Sequence, residues 1–147
     1  MAKNRVDTLL TPELYCSNIK VSVAFYTETL GFSIQYEREE EGFAMLEREG
    51  SRIMLDEIGK PAASVNRSWL SASLEFPFGR GVNFQIKTAA VDKLYEKVQK
   101  NSARIFLPIE NKWYRAGNIE IGQRQFIVLD PDGYMLRFIE EIGTTDR

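Results

Sequence analysis

"FIVLDPDGYMLRF", residues 126–138, aligns without a gap on "FAMLEREGSRIML", residues 43–55, and this match decides the fold. Each stretch is a pair of short apolar runs around a tight turn. In the later copy the turn is Asp130-Pro131-Asp132-Gly133, with Pro where φ must lie near −65° and Gly where φ turns positive. In the earlier copy it is Glu47-Arg48-Glu49-Gly50, so Gly50 falls on Gly133. A second match lies upstream of each hairpin: "VAFYTETL" (23–30) parallels "DKLYEKVQ" (92–99) and brings Tyr26 onto Tyr95. Internal similarity of this kind marks two copies of one supersecondary unit.

Working outward from the hairpins gives the unit itself. "TPELYCSN" (11–18) alternates as a strand. "SNIKVSVAFYTETLGF" (17–32) follows as a helix, with Ser17 or Asn18 as N-cap and Gly31 past its end. Val23, Tyr26 and Leu30 recur at helical spacing. "FSIQYEREE", "GFAMLERE" and "SRIMLDEI" complete a β-α-β-β-β order. The second half repeats it with "GVNFQIKT", a helix over "AAVDKLYEKVQKN", then "ARIFLPIE", "RQFIVLD" and "YMLRFIEE". The expected class is α+β, a single domain over 1–147 with βαβββ modules at 8–57 and 80–142 and a linker at 58–79. That linker carries Trp69, Phe76 and Phe78, more aromatic than a plain flexible connection needs.

Composition narrows function mainly by exclusion. Net charge is −2 with Lys and Arg dispersed, which argues against a nucleic-acid partner. No apolar run approaches about 20 residues, so neither a signal peptide nor a membrane span is expected. The one cysteine, Cys16, forms no internal disulfide, and a cytoplasmic setting is expected. The chain has no histidine at all. That removes the commonest general base and the usual ligand for zinc, nickel or non-haem iron. A Ser–His or Cys–His nucleophile is excluded.

With this order of elements, "SNIKVSVAFYTETLGF", "GVNFQI" with "VDKLYEKV", and "RQFIVLDPDGYMLRF" resemble the vicinal-oxygen-chelate superfamily. That superfamily includes glyoxalase I, fosfomycin-resistance enzymes, extradiol dioxygenases and bleomycin-resistance proteins. "LTPELYCSNIKVSVAFYTETLGF", "WYR" and the closing hairpin look nearest the bleomycin-resistance branch. The resemblance implies modules whose sheets curl around a groove with helices outside, and a homodimer associating module to module. It also implies metal ligands on groove-facing positions in the enzymatic members. Those positions fall near Thr11, around Gly81 to Asn83, on Met54 and on Arg137. None is a good ligand, and an arginine in the ring repels a cation. Metal, cofactor and catalytic residues are therefore not expected.

Strand alternation sorts the remaining side chains onto two faces. Leu14, Cys16, Ile53, Leu55, Phe84, Ile86, Leu136 and Phe138 are expected against the helices. The other face takes Glu13, Tyr15, Tyr36, Phe43, Met54 and Asp56, and from the second module Asn83, Gln85, Met135 and Arg137. Apolar walls with a few oriented polar groups describe a small-ligand site. Trp113, Tyr114 and Arg115 are expected in a loop before the closing hairpin, a composition frequent at contacts. Each residue also has a plainer reading. Tyr36 and Phe43 suit cross-strand packing, and Asp56 with Glu57 suits a solvated strand end. Arg137 either pairs with Glu13, Asp56 or a partner's acid, or reads an anionic or carbonyl group of a ligand. Pro12 is either a strand start or, as the resemblance to bleomycin-resistance proteins implies, the hinge of a first strand that reaches across to the partner subunit.

Three functions stay open at this point. The resemblance implies sequestration of a flat, cationic, bleomycin-type glycopeptide, with aromatics stacking and acids meeting its positive tail. The alternatives are a metal-dependent enzyme of the glyoxalase or fosfomycin-resistance type, and a binder of some other small metabolite.

Overall fold

A computed structural model of the chain describes residues 8–60 and 69–146. Part of the linker expected at 58–79, namely 61–68, lies outside the described residues. The chain divides into two compact units, Met1–Phe78 and Gly79–Arg147. Each holds one four-stranded mixed sheet and one helical segment, an α+β architecture in two copies.

In the first unit β1 (Glu13–Cys16) leads through α1 (Ile19–Ala24) to β2 (Ser33–Arg38), β3 (Phe43–Arg48) and β4 (Ser51–Glu57). The sheet order is β1-β4-β3-β2, with β1 parallel to β4 and the other pairs antiparallel. Asn18 is the N-cap of α1, its side chain accepting from Val21 N at 3.1 Å. The helix then widens into a π-helical turn over Phe25–Thr29 and stops before Gly31, whose φ of +78° suits glycine. Tyr26 and Leu30 are fully buried there, and Tyr26 meets Phe32 edge-on at 5.5 Å.

The second unit repeats the order with β5 (Asn83–Lys87), α2 (Val91–Lys100), β6 (Arg104–Ala116), β7 (Ile119–Leu129) and β8 (Met135–Asp146). Its sheet runs β5-β8-β7-β6 with the same parallel pair, β5 and β8. Val91, Leu94 and Val98 bury the apolar stripe of α2, and Tyr95 packs on Phe126 at 5.1 Å. Pro108 sits in β6, an edge strand, where the register shifts between Leu107 and Glu110. Edge and bulge are the two places a sheet tolerates proline.

Face assignment follows the expected alternation. Leu14, Cys16, Ile53, Leu55, Ile86, Leu136 and Phe138 are all buried; Phe84 alone of that set is only half-buried. One expectation fails. The segment 111–116 is strand, so Trp113, Tyr114 and Arg115 lie on β6 and not in a loop. The reason is a ladder longer than the apolar pattern suggests: Tyr114 pairs with Ile121 and Ala116 with Ile119 around Gly117 at φ +67°.

Both hairpins form, but with different turns. Arg48 pairs with Ser51 around Glu49 and Gly50, both at positive φ (48° and 88°), the two-residue pattern matched to strand twist. In the second unit Leu129 pairs with Met135, leaving residues 130–134 as the loop. Asp130 organises it: Oδ1 accepts from Asp132 N at 2.9 Å and Tyr134 N at 3.0 Å, with the side chain buried. The ungapped alignment is therefore true for β4 on β8 and slips by one residue for β3 on β7. A one-residue slip reverses faces. Phe126 pairs with Phe138 on the helix side, whereas Phe43 pairs with Asp56 on the other.

Candidate functional site

On the first unit, register alone assembles one face. Glu13 lies beside Met54 and Tyr15 beside Asp56 across the parallel pair; Met45 faces Met54 and Phe43 faces Asp56 across the hairpin. Tyr36 and Arg38 extend the face on β2, opposite Met45 and Phe43. A register shift between Ile34 and Tyr36 keeps the aromatic on this side. Tyr36 and Phe43 lie 5.9 Å apart at 30°, Tyr36 half-exposed and Phe43 buried. Arg38 holds its guanidinium carbon 4.0 Å from the Phe43 ring centroid while its Nε donates to Glu41 at 2.6 Å.

Two acids share this face. The hydrogen bond to Asp56 first, then burial and then the Asp56 charge push the Glu13 carboxyl up to about 7, with Arg38 pulling the other way. Two carboxylates in one site oppose each other's ionisation, and it is the Glu13 carboxyl that keeps its proton to higher pH. Glu57, the neighbouring acid, is used elsewhere. Its Oε2 accepts from Ile19 N at 2.9 Å, which caps α1 and holds the carboxyl below its ordinary range, with Lys60 and Lys20 adding to the effect.

The second unit builds a different face. Asn83 pairs with Met135 and Gln85 with Arg137; Ile127 faces Arg137 from β7, and Gln125 faces Ile139. A cavity of about 410 Å³ opens here, lined among others by Gln85, Tyr114, Arg115, Ile121, Gln123 and Arg137. Tyr114, one of the lining residues, is held by buried Gln125, whose Nε2 donates to Tyr114 Oη at 2.8 Å and to Glu110 Oε1 at 3.0 Å. Two buried polar atoms have no hydrogen-bond partner among the described residues, Arg137 Nε and Gln123 Oε1.

Of the residues expected at a site, Glu13, Tyr36, Phe43, Met54 and Asp56 come together on the first unit. Gln85, Tyr114, Arg115 and Arg137 come together on the second, with Asn83 on the same face nearer the start of β5. Trp113 does not join them. It points to the reverse side, packed over Gly122, where a Cβ would stand 2.7 Å from the indole Cη2. Pro12 opens β1, its carbonyl accepting from Met54 N at 2.9 Å. Gln123, Gln125 and Arg38 were not anticipated. "EIGQRQF" did carry a signal, since Ile121, Gln123 and Gln125 alternate onto one face; the register shift beside Gly122 leaves Ile142 of β8 as the extra residue.

The sequence pattern of the "Glyoxalase/Bleomycin resistance protein/Dioxygenase superfamily" matches residues 5–138. The chain belongs to that superfamily. The bleomycin resistance protein of Geobacillus stearothermophilus is 28% identical over 142 residues, covering 89% of this chain and 95% of that protein. The Staphylococcus aureus protein of the same name matches to the same extent. Among solved structures, TioX from Micromonospora sp. ML1 is 20% identical with a TM-score of 0.66, covering 92% of this chain and 99% of its own. A protein of unknown function from Agrobacterium tumefaciens str. C58 is 23% identical with a TM-score of 0.65, covering 92% and 95%. At these identities the solved structures speak for the fold alone.

The superfamily includes metal enzymes, whose sites need three or more protein donors. Glu13 and Asp56 supply two carboxylates, but Met54 lies between them in register and Arg137 takes the corresponding place on β8. No group of three potential ligands occurs among the described residues. The set does not fit a divalent cation. Among the described residues, no helix is long and apolar enough to cross a membrane.

Proposed function

We propose that this chain binds and sequesters a bleomycin-type glycopeptide, leaving the drug chemically unchanged and acting as a homodimer with Pro12 as the hinge of its first strand. One observation carries the reading: the Tyr36–Phe43 pair and the hydrogen-bonded Glu13–Asp56 pair stand on the same sheet face. A flat heteroaromatic group stacks on the first and a cationic tail meets the second. Family membership and the bleomycin resistance relatives supply the class of ligand. The proposed contact residues are Glu13, Tyr36, Phe43, Met54 and Asp56 on one module, and Asn83, Gln85, Tyr114, Arg115 and Arg137 on the other; Trp113, on the reverse face, is left out.

Titration calorimetry with metal-free bleomycin tests this directly. The expected result is saturable binding at one site per chain, two per dimer, together with protection of DNA from drug cleavage. No heat and no protection would overturn it. A second reading, a binder of an uncharged or anionic metabolite, draws on the guanidinium in the second module's cavity and the modest net charge of −2. A thermal-shift screen separates the two, because a ligand that binds the folded state raises its apparent stability.

A further inference from the structure

The two modules start their helices alike and then part. Glu57 accepts from Ile19 N in the first and Glu140 from Val91 N in the second, so Lys20 and Asp92 are the matching next residues. In the second module Asp92 anchors a bridge to the edge of the sheet. Arg124 on β7 donates from Nε and Nη2 to Asp92 Oδ1 and from Nη1 to Asn111 Oδ1 on β6, at 2.9–3.0 Å. Its guanidinium joins α2 to the edge strand, against which α2 also packs.

The first module has no such bridge. Register puts Gly42 at the place of Arg124 and Glu39 at that of Asn111. Gly42 has no side chain to offer, and α1 packs on β4 and β3 and not on the edge strand β2. The space stays open as a cavity of about 480 Å³, in the range of small-ligand pockets. Ile19, Val23 and Ala24, all half-buried, give it an apolar wall from α1. Its rim is acidic. The carboxylates of Glu28, Glu37 and Glu39 have no hydrogen bond or ion pair among the described residues. Lys60 is already paired with Glu57 at 3.3 Å, which leaves Lys20 as the one unpaired ammonium lining the space among those residues.

Surface acids alone are ordinarily met by water. The second module adds the deciding observation: at the same place in the same fold, a guanidinium is what spans helix and edge strand. A planar cation of that kind suits the first module's cleft too. It is weakly hydrated, its fork matches carboxylates, and an apolar body behind it has a wall to cover.

We propose that this cleft is a receptor for an amidinium or guanidinium on a short apolar body, the fork meeting Glu37 and Glu39 and the body lying on Ile19, Val23 and Ala24. The cleft shares only Phe43 with the surface proposed for the drug, and the inference does not rest on that reading.

Benzamidine and benzamide isolate the chemistry, since they share a shape and differ in charge. Titrated into the isotope-labelled full chain at pH 7.5, benzamidine is expected to shift the Gly42 amide and the Val23 and Ala24 methyl signals saturably. Benzamide is expected to bind at least about tenfold more weakly, because it forms no charge-assisted pair with a carboxylate. Glu37→Gln and Glu39→Gln should each weaken benzamidine about threefold, the worth of one exposed ion pair. Lys20→Asp removes the opposing cation, sets the second module's acid at the helix start, and should tighten binding about threefold. Benzamide binding as tightly as benzamidine would overturn the proposal, leaving an apolar cleft without charge selection. So would shifts that stay linear in concentration, Glu39→Gln binding unchanged, or Lys20→Asp binding no better. Bleomycin titration reports separately: drug binding with no benzamidine response sinks this inference alone, and benzamidine binding with no drug response sinks only the choice of drug.

Discussion

The two modules share a backbone plan and diverge in what they show to solvent. Strand order and the single parallel pair are the same in both. So is a device at the end of the parallel pair: Glu57 accepts from the first amide of α1, and Glu140 accepts from Val91 N, the first of α2, at 3.3 Å. A carboxylate there answers the unpaired amides at a helix N-terminus. The open faces differ position by position. Where the first module has Glu13, Met54, Asp56 and Phe43, register places Gln85, Arg137, Ile139 and Gln125 in the second. One face is acidic and aromatic, the other amidic and cationic. What the backbone requires is repeated; the side chains on the sheet face away from the helix are not.

The hairpins allow the sharpest test of that contrast. Asp130 sits buried with two backbone amides on one carboxylate oxygen, whereas the aligned Glu47 caps Gly50 N at 2.7 Å on an exposed turn. Asp130→Ala strands two buried donors and should cost about 2–3 kcal/mol in urea denaturation. Glu47→Ala should cost about 0.5 kcal/mol, since water replaces the lost acceptor. Equal losses would mean that the two turns carry the same weight and that the longer loop has no special organiser.

These hairpins also mark how far sequence reading reaches. Two βαβββ units, the parity of β1, β4, β5 and β8, and the grouping of Glu13 with Asp56 were all legible, because alternation against a buried helix leaves little freedom. The slip of β3 against β7 was not, since it depends on a five-residue loop held by Asp130 that an ungapped match conceals. Trp113, Tyr114 and Arg115 were read as a loop because Asn111, Lys112 and Gly117 carry no apolar alternation, yet the ladder continues through them to Gly117. Gln123 escaped notice because the strand was read as starting at Arg124, although Gln123 keeps the side of Gln125 and Ile127. Pairing partners decide such positions, and local propensity does not.

Arg137 and Met54 occupy matching places in the two copies, so exchanging them probes the divergence directly. Arg137→Met removes a desolvated cation and its unpaired Nε, and the fold should gain about 1 kcal/mol, read as a higher urea midpoint at unchanged slope. Met54→Arg sets a guanidinium beside Glu13 and should change stability by less than about 1 kcal/mol, because that module already holds unpaired acid. A destabilised Arg137→Met would show that the arginine serves the fold and not an occupant.

The smallest expected effect lies with Glu13, and its sign is the point. The folded chain raises this carboxyl from its ordinary 4.5 to about 7, chiefly through the hydrogen bond to Asp56. Between those values the folded state holds a proton that the unfolded state has released. Its stabilising share is thus complete below pH 4.5 and is lost as pH rises through 7. Glu13→Gln imitates the protonated form at every pH. It should match the parent near pH 4.5 and melt higher than the parent at pH 8. Glu13 is largely exposed, so solvent screening reduces the gain to ~1 kcal/mol, about 3 °C. Gln85, the register equivalent in the second module, is neutral already and has Ile139 in place of the second acid. A raised carboxyl at this register position therefore belongs to one copy of the repeat, among the described residues. Melting curves for Glu13→Gln that run parallel to the parent from pH 4.5 to 8 would remove that difference between the modules, and with it the acidic half of the proposed binding surface.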